Sequence, residues 1–215
     1  MASCLVGSEM CIRDSNHYKQ DRMFELALRF RMPIVLFGEG GGGRPGDDST
    51  GPAVAFDTHT FTQFSKLSGA VPMIGVNHGR CFAGNTALLA CCDVIIATKD
   101  STIAMGGPAM IEGGGLGIYT PEEVGPMSFQ VPNGVVDILV DDEAEAVRVA
   151  KQHLSYFQGS VDTWEAPDQR KLRHVVPENR MRLYDMREII ATVADLDSVL
   201  EVRAGFGVGV ITCFI

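Results

Sequence analysis

His78-Gly79-Arg80-Cys81-Phe82-Ala83-Gly84-Asn85-Thr86-Ala87-Leu88-Leu89-Ala90-Cys91-Cys92-Asp93 is the stretch that decides the architecture. An apolar run, Met73-Ile74-Gly75-Val76, leads into it, and Ala87 to Cys91 leaves it with the composition of a buried helix. Small residues at Ala83 and Gly84 allow a ligand close to the main chain. The N–H groups that open a helix lack internal partners and lie at its positive end. Strand, tight turn and helix start therefore form a pocket suited to an anion or oxyanion. Working outward, Gly38-Glu39-Gly40-Gly41-Gly42-Gly43-Arg44-Pro45-Gly46-Asp47 follows a second apolar strand, Ile34-Val35-Leu36-Phe37. It offers another set of bare N–H groups.

The flanking pattern alternates. Asp21 to Phe30 reads as a helix with Met23, Leu26, Ala27 and Phe30 on its apolar face, closed by Pro33. Phe61, Phe64 and Leu67 mark a second helix that starts near Asp57 or Thr58. Val94–Ala97, Thr102–Met105 and Val135–Val140 read as strands, and Thr120-Pro121-Glu122-Glu123 as a capping box. Asp141 and Asp142 open a helix with apolar face Val147, Ala150, Leu154 and Phe157, stopped by Gly159. Met181 to Val193 reads as a helix, and Val208 to Ile215 as an apolar strand with a sticky edge. Strands alternating with helices predict an α/β fold with largely parallel pairing.

Composition narrows the function classes. The 215 residues contain 24 glycines, and the formal net charge is −9. That balance disfavours nucleic acid or an anionic membrane as the main partner, since phosphate backbones need clustered Lys and Arg. No apolar run approaches the roughly 20 residues of a transmembrane helix. The six cysteines and five histidines show no ligand spacing, so no metal site is expected. Reduced thiols in a cytoplasmic compartment are the expected state. Residues Met1 to Ser15 resemble a translated cloning scar, so residues 1–15 are set aside as a non-native extension.

Each loop has competing readings. Gly38 to Gly43 fits the spacing G-x-G-x-x-G of a dinucleotide site, but Arg44-Pro45-Gly46-Asp47-Asp48 intervenes where a helix must start at once. The same residues match a phosphate loop, except that Arg44 and Pro45 replace the required Lys and Ser/Thr. A surface loop is the plain alternative. For the second turn the alternative is tight helix–strand packing, weakened because two such turns each follow a strand. His78 reads as a hydrogen-bonded core residue, Glu112 as a loop charge, and Glu122 and Glu123 as capping groups. Arg44 and Arg80 are the side-chain candidates for anion contact, with solvated surface equally open for each.

GRCFAGNTALLACCDVIIAT, residues 79–98, resembles the signature of the crotonase superfamily. NHYKQDRMFELALRFRMPIVLFGEGGGGRPGD, GGPAMIEGGGLGIYTPEEVGP, NGVVDILVDDEAEAVRVAKQHLSYFQG and VPENRMRLYDMREII together resemble the carboxyltransferase component of biotin-dependent acyl-CoA carboxylases. The resemblance covers about residues 16–215. It implies a crotonase-like spiral of β-β-α units, with a carboxyltransferase domain over 16–160. Residues 161–215 would be a crossing segment and the start of a truncated second domain. It implies oxyanion donors at Gly42, Gly43, Ala83 and Gly84, and cofactor contacts at Arg44, Gly106, Gly107 and Pro108. The implied cofactor is biotin, arriving as carboxybiotin on a carrier, with a coenzyme A thioester as substrate. The implied partners are a biotin carboxyl carrier, a biotin carboxylase and further copies of the chain. Positions that hold catalytic glutamates in hydratases of the superfamily look like Thr86 and Ala109 here, so hydration lacks its acid and base. Two alternatives stand beside this reading. One is a hydratase or decarboxylase using Glu112 or Glu39 as base; the other is a dinucleotide-binding module.

Overall fold

The computed structural model describes residues 14–41, 59–209 and 212–215. Helix α1 (Asp14–Phe30) precedes strand β1 (Ile34–Phe37). Helix α2 (Thr60–Ser65), strands β2 (Met73–Asn77) and β3 (Arg80–Phe82), and helix α3 (Gly84–Leu89) follow. Next come β4 (Val94–Thr98), β5 (Thr102–Ala104), α4 (Pro108–Gly113), α5 (Met127–Gln130), β6 (Ile138–Val140) and α6 (Glu143–Ser155). The chain then runs through α7 (Leu172–Val175), α8 (Met186–Val193), β7 (Glu201–Val202) and β8 (Cys213–Phe214).

β2 and β4 carry polar residues only at their last positions, Asn77 and Thr98, which makes them two-sided strands, and all ten of their residues are buried. Such strands belong in parallel sheets covered on both faces. A four-stranded sheet in the order β1-β2-β4-β6 is parallel throughout, and β3 pairs with β5 in a second parallel sheet. The parallel α/β expectation is thus borne out. Side chains alternate across the main sheet. Ile74, Val76, Val94 and Ile96 pack against Ala146, Val149 and Ala150 of α6. Ile95 and Ala97 turn the other way, onto Leu89, Cys81 and Ile103. Gly75 leaves room for α3: a Cβ there would stand 2.4 Å from Leu89 Cδ1.

Several expectations need correction. Helix α1 opens at Asp14, and its buried side chains are His17, Gln20, Phe24 and Ala27; Phe30 is 60% exposed. His17 Nδ1 lies 2.8 Å from Thr60 Oγ1, so a polar contact turns the helix toward α2. Helix α6 shifts in the same sense and buries Ala146, Val149, Ala150 and His153, leaving Phe157 53% exposed. The displaced apolar residues Met23, Leu26, Phe30, Leu154 and Phe157 border one groove of about 610 Å³ beside the outer edge of β1. Hydrophobic periodicity registers this stripe but not which part of it a neighbour covers.

Other elements are too short to carry a periodic signal. β3 and α4 replace the turn and loop expected there, so Glu112 lies on α4, and α5 is a short helix that the pattern does not mark. The expected strand 135–140 shrinks to Ile138–Val140, and the helix from Met181 begins at Met186, capped by the Asp185 side chain. The expected terminal strand is two residues, Cys213–Phe214, paired antiparallel with Glu201–Val202. The expected helix start at Asp57 or Thr58 lies outside the described residues. Asp142 does cap α6, accepting from Glu145 N at 2.8 Å, and Gly159 takes φ +96° after its end.

His153 is 2% exposed, and its Nδ1 finds no hydrogen-bond partner among the described residues. Burial pushes its pKa below the ordinary histidine value, against the opposing charges of Asp93 and Asp137. The folded ring is therefore neutral, whereas the unfolded chain takes up a proton below about pH 6.5. The stability this site contributes is present above that pH and lost as pH falls through it. Urea midpoints between pH 7 and pH 5 are expected to fall more steeply for the wild type than for His153→Leu. Equal slopes would contradict this.

Candidate functional site

Parallel pairing of β1 with β2 sends both following segments off the same end of the sheet. Gly38 N extends the ladder by donating to Val76 O at 2.8 Å. The first turn then runs alongside β3: Gly40 N donates to Arg80 O at 2.7 Å, and Phe82 N donates to Gly40 O at 2.9 Å. Asn85, buried in α3, donates from Nδ2 to Glu39 O at 2.6 Å. Gly41 takes φ +144°, and a Cβ there would stand 2.2 Å from Phe82 O. Only glycine fits that contact. The two glycine turns are thus in van der Waals contact through Gly41 and Phe82.

Ala83 links β3 to α3 with φ +53° and ψ −125°. A non-glycine residue there carries backbone strain of roughly 1–3 kcal/mol, and such strain clusters at ligand sites. Its N–H forms no hydrogen bond with the described residues. Gly84 is the first residue of α3. From the other side Gly107 approaches Phe82: a Cβ on Gly107 would lie 3.7 Å from the Phe82 ring. Gly107 is the N-cap of α4 and Pro108 its first residue. Gly106 faces space, with only Met110 Cβ within 4.0 Å of the position a Cβ would take. Phe82 is therefore a hub joining three turns. Sequence reading passed over it because only pairing of β3 with β5 fixes its neighbours.

Of the sequence-derived residues, the fold sets Gly107, flanked by Gly106 and Pro108, against the Phe82 ring that precedes Ala83 and Gly84. Gly42, Gly43 and Arg44 lie outside the described residues. Thr86 ties α3 to both short strands, its Oγ1 lying 2.8 Å from Cys81 O and 3.0 Å from Ala104 O. Arg80 is ion-paired with Glu122. The main-chain N–H of Glu122 and the Arg80 guanidinium hold the Glu122 carboxyl below its ordinary range. Capping at this turn comes from Glu123, which accepts from Thr120 N at 2.8 Å, and not from Glu122. Glu112 is exposed on α4.

His78 was read as a core residue and is not one: its side chain is 36% exposed and bridges Glu39 and Glu143. Burial pushes the Cys81 thiol up to about 11 and raises Cys92 further, so neither is a ready nucleophile. Among the described residues no cluster of His, Cys, Asp and Glu has the geometry of a metal site. No helix among them is long and apolar enough to cross a membrane.

With this geometry in view, a family model described as "Carboxyl transferase domain" matches residues 8–214. The methylmalonyl-CoA carboxyltransferase 12S subunit of Propionibacterium freudenreichii subsp. shermanii is 30% identical over 203 residues, covering 88% of this chain and 38% of that protein. Among solved structures, a single-chain, multi-domain long-chain acyl-CoA carboxylase superposes with a TM-score of 0.84 at 59% identity, covering 90% of this chain and 19% of that one. The transcarboxylase 12S hexamer, with methylmalonyl-CoA and methylmalonic acid bound, superposes with a TM-score of 0.77 at 28% identity, covering 93% of this chain and 40% of that one. The chain spans about two fifths of the length of the curated relatives it matches.

Proposed function

We propose, from the premise that the chain belongs to the carboxyl transferase domain family, that it is the acyl-CoA-binding half of a biotin-dependent carboxyltransferase with a crotonase-like fold. One observation carries the reading: Gly41 against the Phe82 carbonyl sets the first glycine turn beside the Ala83 N–H, which is unbonded among the described residues. Donors contributed from two turns suit a thioester oxygen whose negative charge grows as its α-proton leaves.

In this mechanism the thioester carbonyl oxygen accepts from Ala83 N–H, at the start of α3 with Gly84. The second donor comes from Gly42 or Gly43. Such donors are worth roughly 3–4 kcal/mol each in the transition state. The α-carbon gives its proton to the biotin that has released its carboxyl group as CO2, becomes nucleophilic as an enolate and bonds to that CO2. Thr86 does not act as an acid or base, because its hydroxyl is committed to Cys81 and Ala104. The turn 106–108 fits a flat cofactor ring: Gly106 and Gly107 lack side chains where a Cβ on Gly106 would meet almost nothing. Carboxybiotin, when bound there, supplies the carboxyl group, with Gly106, Gly107, Pro108 and Arg44 as its contacts. We take residues 16–160 as the acyl-CoA unit and 161–215 as a crossing segment. A biotin carrier, a biotin carboxylase and further copies of the chain complete the assembly.

A thermal-shift titration tests this. An acyl-CoA at about a hundred times its Kd is expected to stabilise the chain by about 2.7 kcal/mol, raising Tm by roughly 5–10 °C. NAD is expected to leave Tm unchanged. Stabilisation by NAD and not by acyl-CoA would instead support a dinucleotide module.

A further inference from the structure

We propose that His78 is a positioning residue: its ring bridges Glu39 and Glu143 and holds the first glycine turn in register with β3. Its consequence for ligand binding rests on the acyl-thioester reading. The three residues follow the C-terminal ends of β1, β2 and β6, which the parallel sheet brings to one edge. Nε2 of His78 contacts Glu39 Oε1, and Nδ1 lies 3.0 Å from Glu143 Oε1. The His78 main-chain N–H also donates to Glu39 Oε1, at 3.2 Å. Glu39 is thus gripped twice, by His78 on its carboxylate and by Asn85 on its carbonyl. The next residue is Gly40, whose N–H and C=O pair with Arg80 and Phe82. Gly79 belongs to the same device, since a Cβ there would crowd the Glu39 carboxylate at 3.3 Å.

A neutral imidazole has one N–H and one lone pair. Both nitrogens of His78 meet carboxylate oxygens, so the doubly protonated ring is the form that satisfies both. The charged groups facing the ring are Glu39, from the turn after β1, and Glu143, from the first turn of α6. Lys99 and Asp141, which also follow the ends of β4 and β6, pair with each other at 3.4 Å.

Amide hydrogen exchange on the whole chain tests this directly. Protection factors at Gly40 and Phe82 are expected to be about three- to fivefold lower in His78→Gln than in the wild type, the effect of losing a half-exposed charge contact. In Glu143→Gln they are expected to be intermediate. Ile96 in β4 is expected to keep its protection throughout. Acetyl-CoA affinity, measured on the same samples, is expected to follow the Gly40 protection. Unchanged protection in His78→Gln overturns the proposal, as does an equal loss at Ile96. If protection behaves as expected while acetyl-CoA binds none of the proteins, the bridge stands and the thioester reading fails.

Discussion

Asp137→Ala is expected to lower the free energy of unfolding by about 3 kcal/mol, the lower end of the range for breaking a buried ion pair. Asp137 is buried, and all its polar atoms are used. Oδ1 accepts from Arg203 Nε at 2.7 Å and Oδ2 from Ile95 N at 2.7 Å. Its main-chain N–H donates to Ile95 O and its carbonyl accepts from Arg203 N. One residue thus closes the sheet edge between β4 and β6 and moors the segment carrying β7 and β8. Hydrogen bonding to Asp137 raises the Arg203 pKa, so the guanidinium stays charged. Truncation strands the Ile95 amide without its side-chain acceptor, while the half-exposed Arg203 recovers some hydration. Asp137→Asn keeps an acceptor and is expected to cost about half as much. Urea unfolding at pH 7 measures both. Arg22→Ala, which removes an exposed pair with Glu25, serves as a control with no expected change. A loss below about 1 kcal/mol for Asp137→Ala would mean that this mooring is not needed.

Gly41→Ala is expected to weaken acyl-CoA binding roughly tenfold or more and to cost about 2–3 kcal/mol of stability. The methyl group would stand 2.2 Å from Phe82 O, whereas carbon and oxygen pack at about 3.3 Å. One of the two turns must move by about 1 Å, and displacements of that size spoil paired donors. The residue also sits at φ +144°, so strain adds to the clash. Gly69→Ala separates the two effects. Gly69 takes φ +73° with nothing within 4 Å of the position its Cβ would take, so its alanine variant carries strain alone. That variant is expected to lose stability but bind acyl-CoA normally. Calorimetric titration of both variants decides the matter. Wild-type affinity in Gly41→Ala would sink the idea that the contact between the turns shapes the site.

The legible parts of the chain were those where one local rule dominates. Met73 to Val76 and Val94 to Ala97 have no polar face to show to water, so they had to be central strands. Asp142 and Gly159 bracket α6 through chemistry confined to a few residues. Ala83 and Gly84 stood out as small residues between a strand and a helix. The illegible parts depend on partners far along the chain. Three residues, Arg80–Phe82, become a strand only because Thr102–Ala104 lies beside them. His78 was expected in the core, and no local pattern announces Glu39 and Glu143 as its partners, the second of them 65 positions away. Phe30 and Phe157 look like core residues by period, yet face a groove because nothing described covers that edge of β1.

The amino-acid order by itself determined the parallel α/β class, the main strands and the two glycine turns, because hydrophobic patterning and glycine's missing side chain act over a few residues. Only the tertiary structure decided that those turns meet at Phe82, that Gly107 joins them and that Asp137 reaches Arg203. Such contacts join segments 25 to 66 residues apart, and the sheet's strand order, not local preference, sets which of them touch.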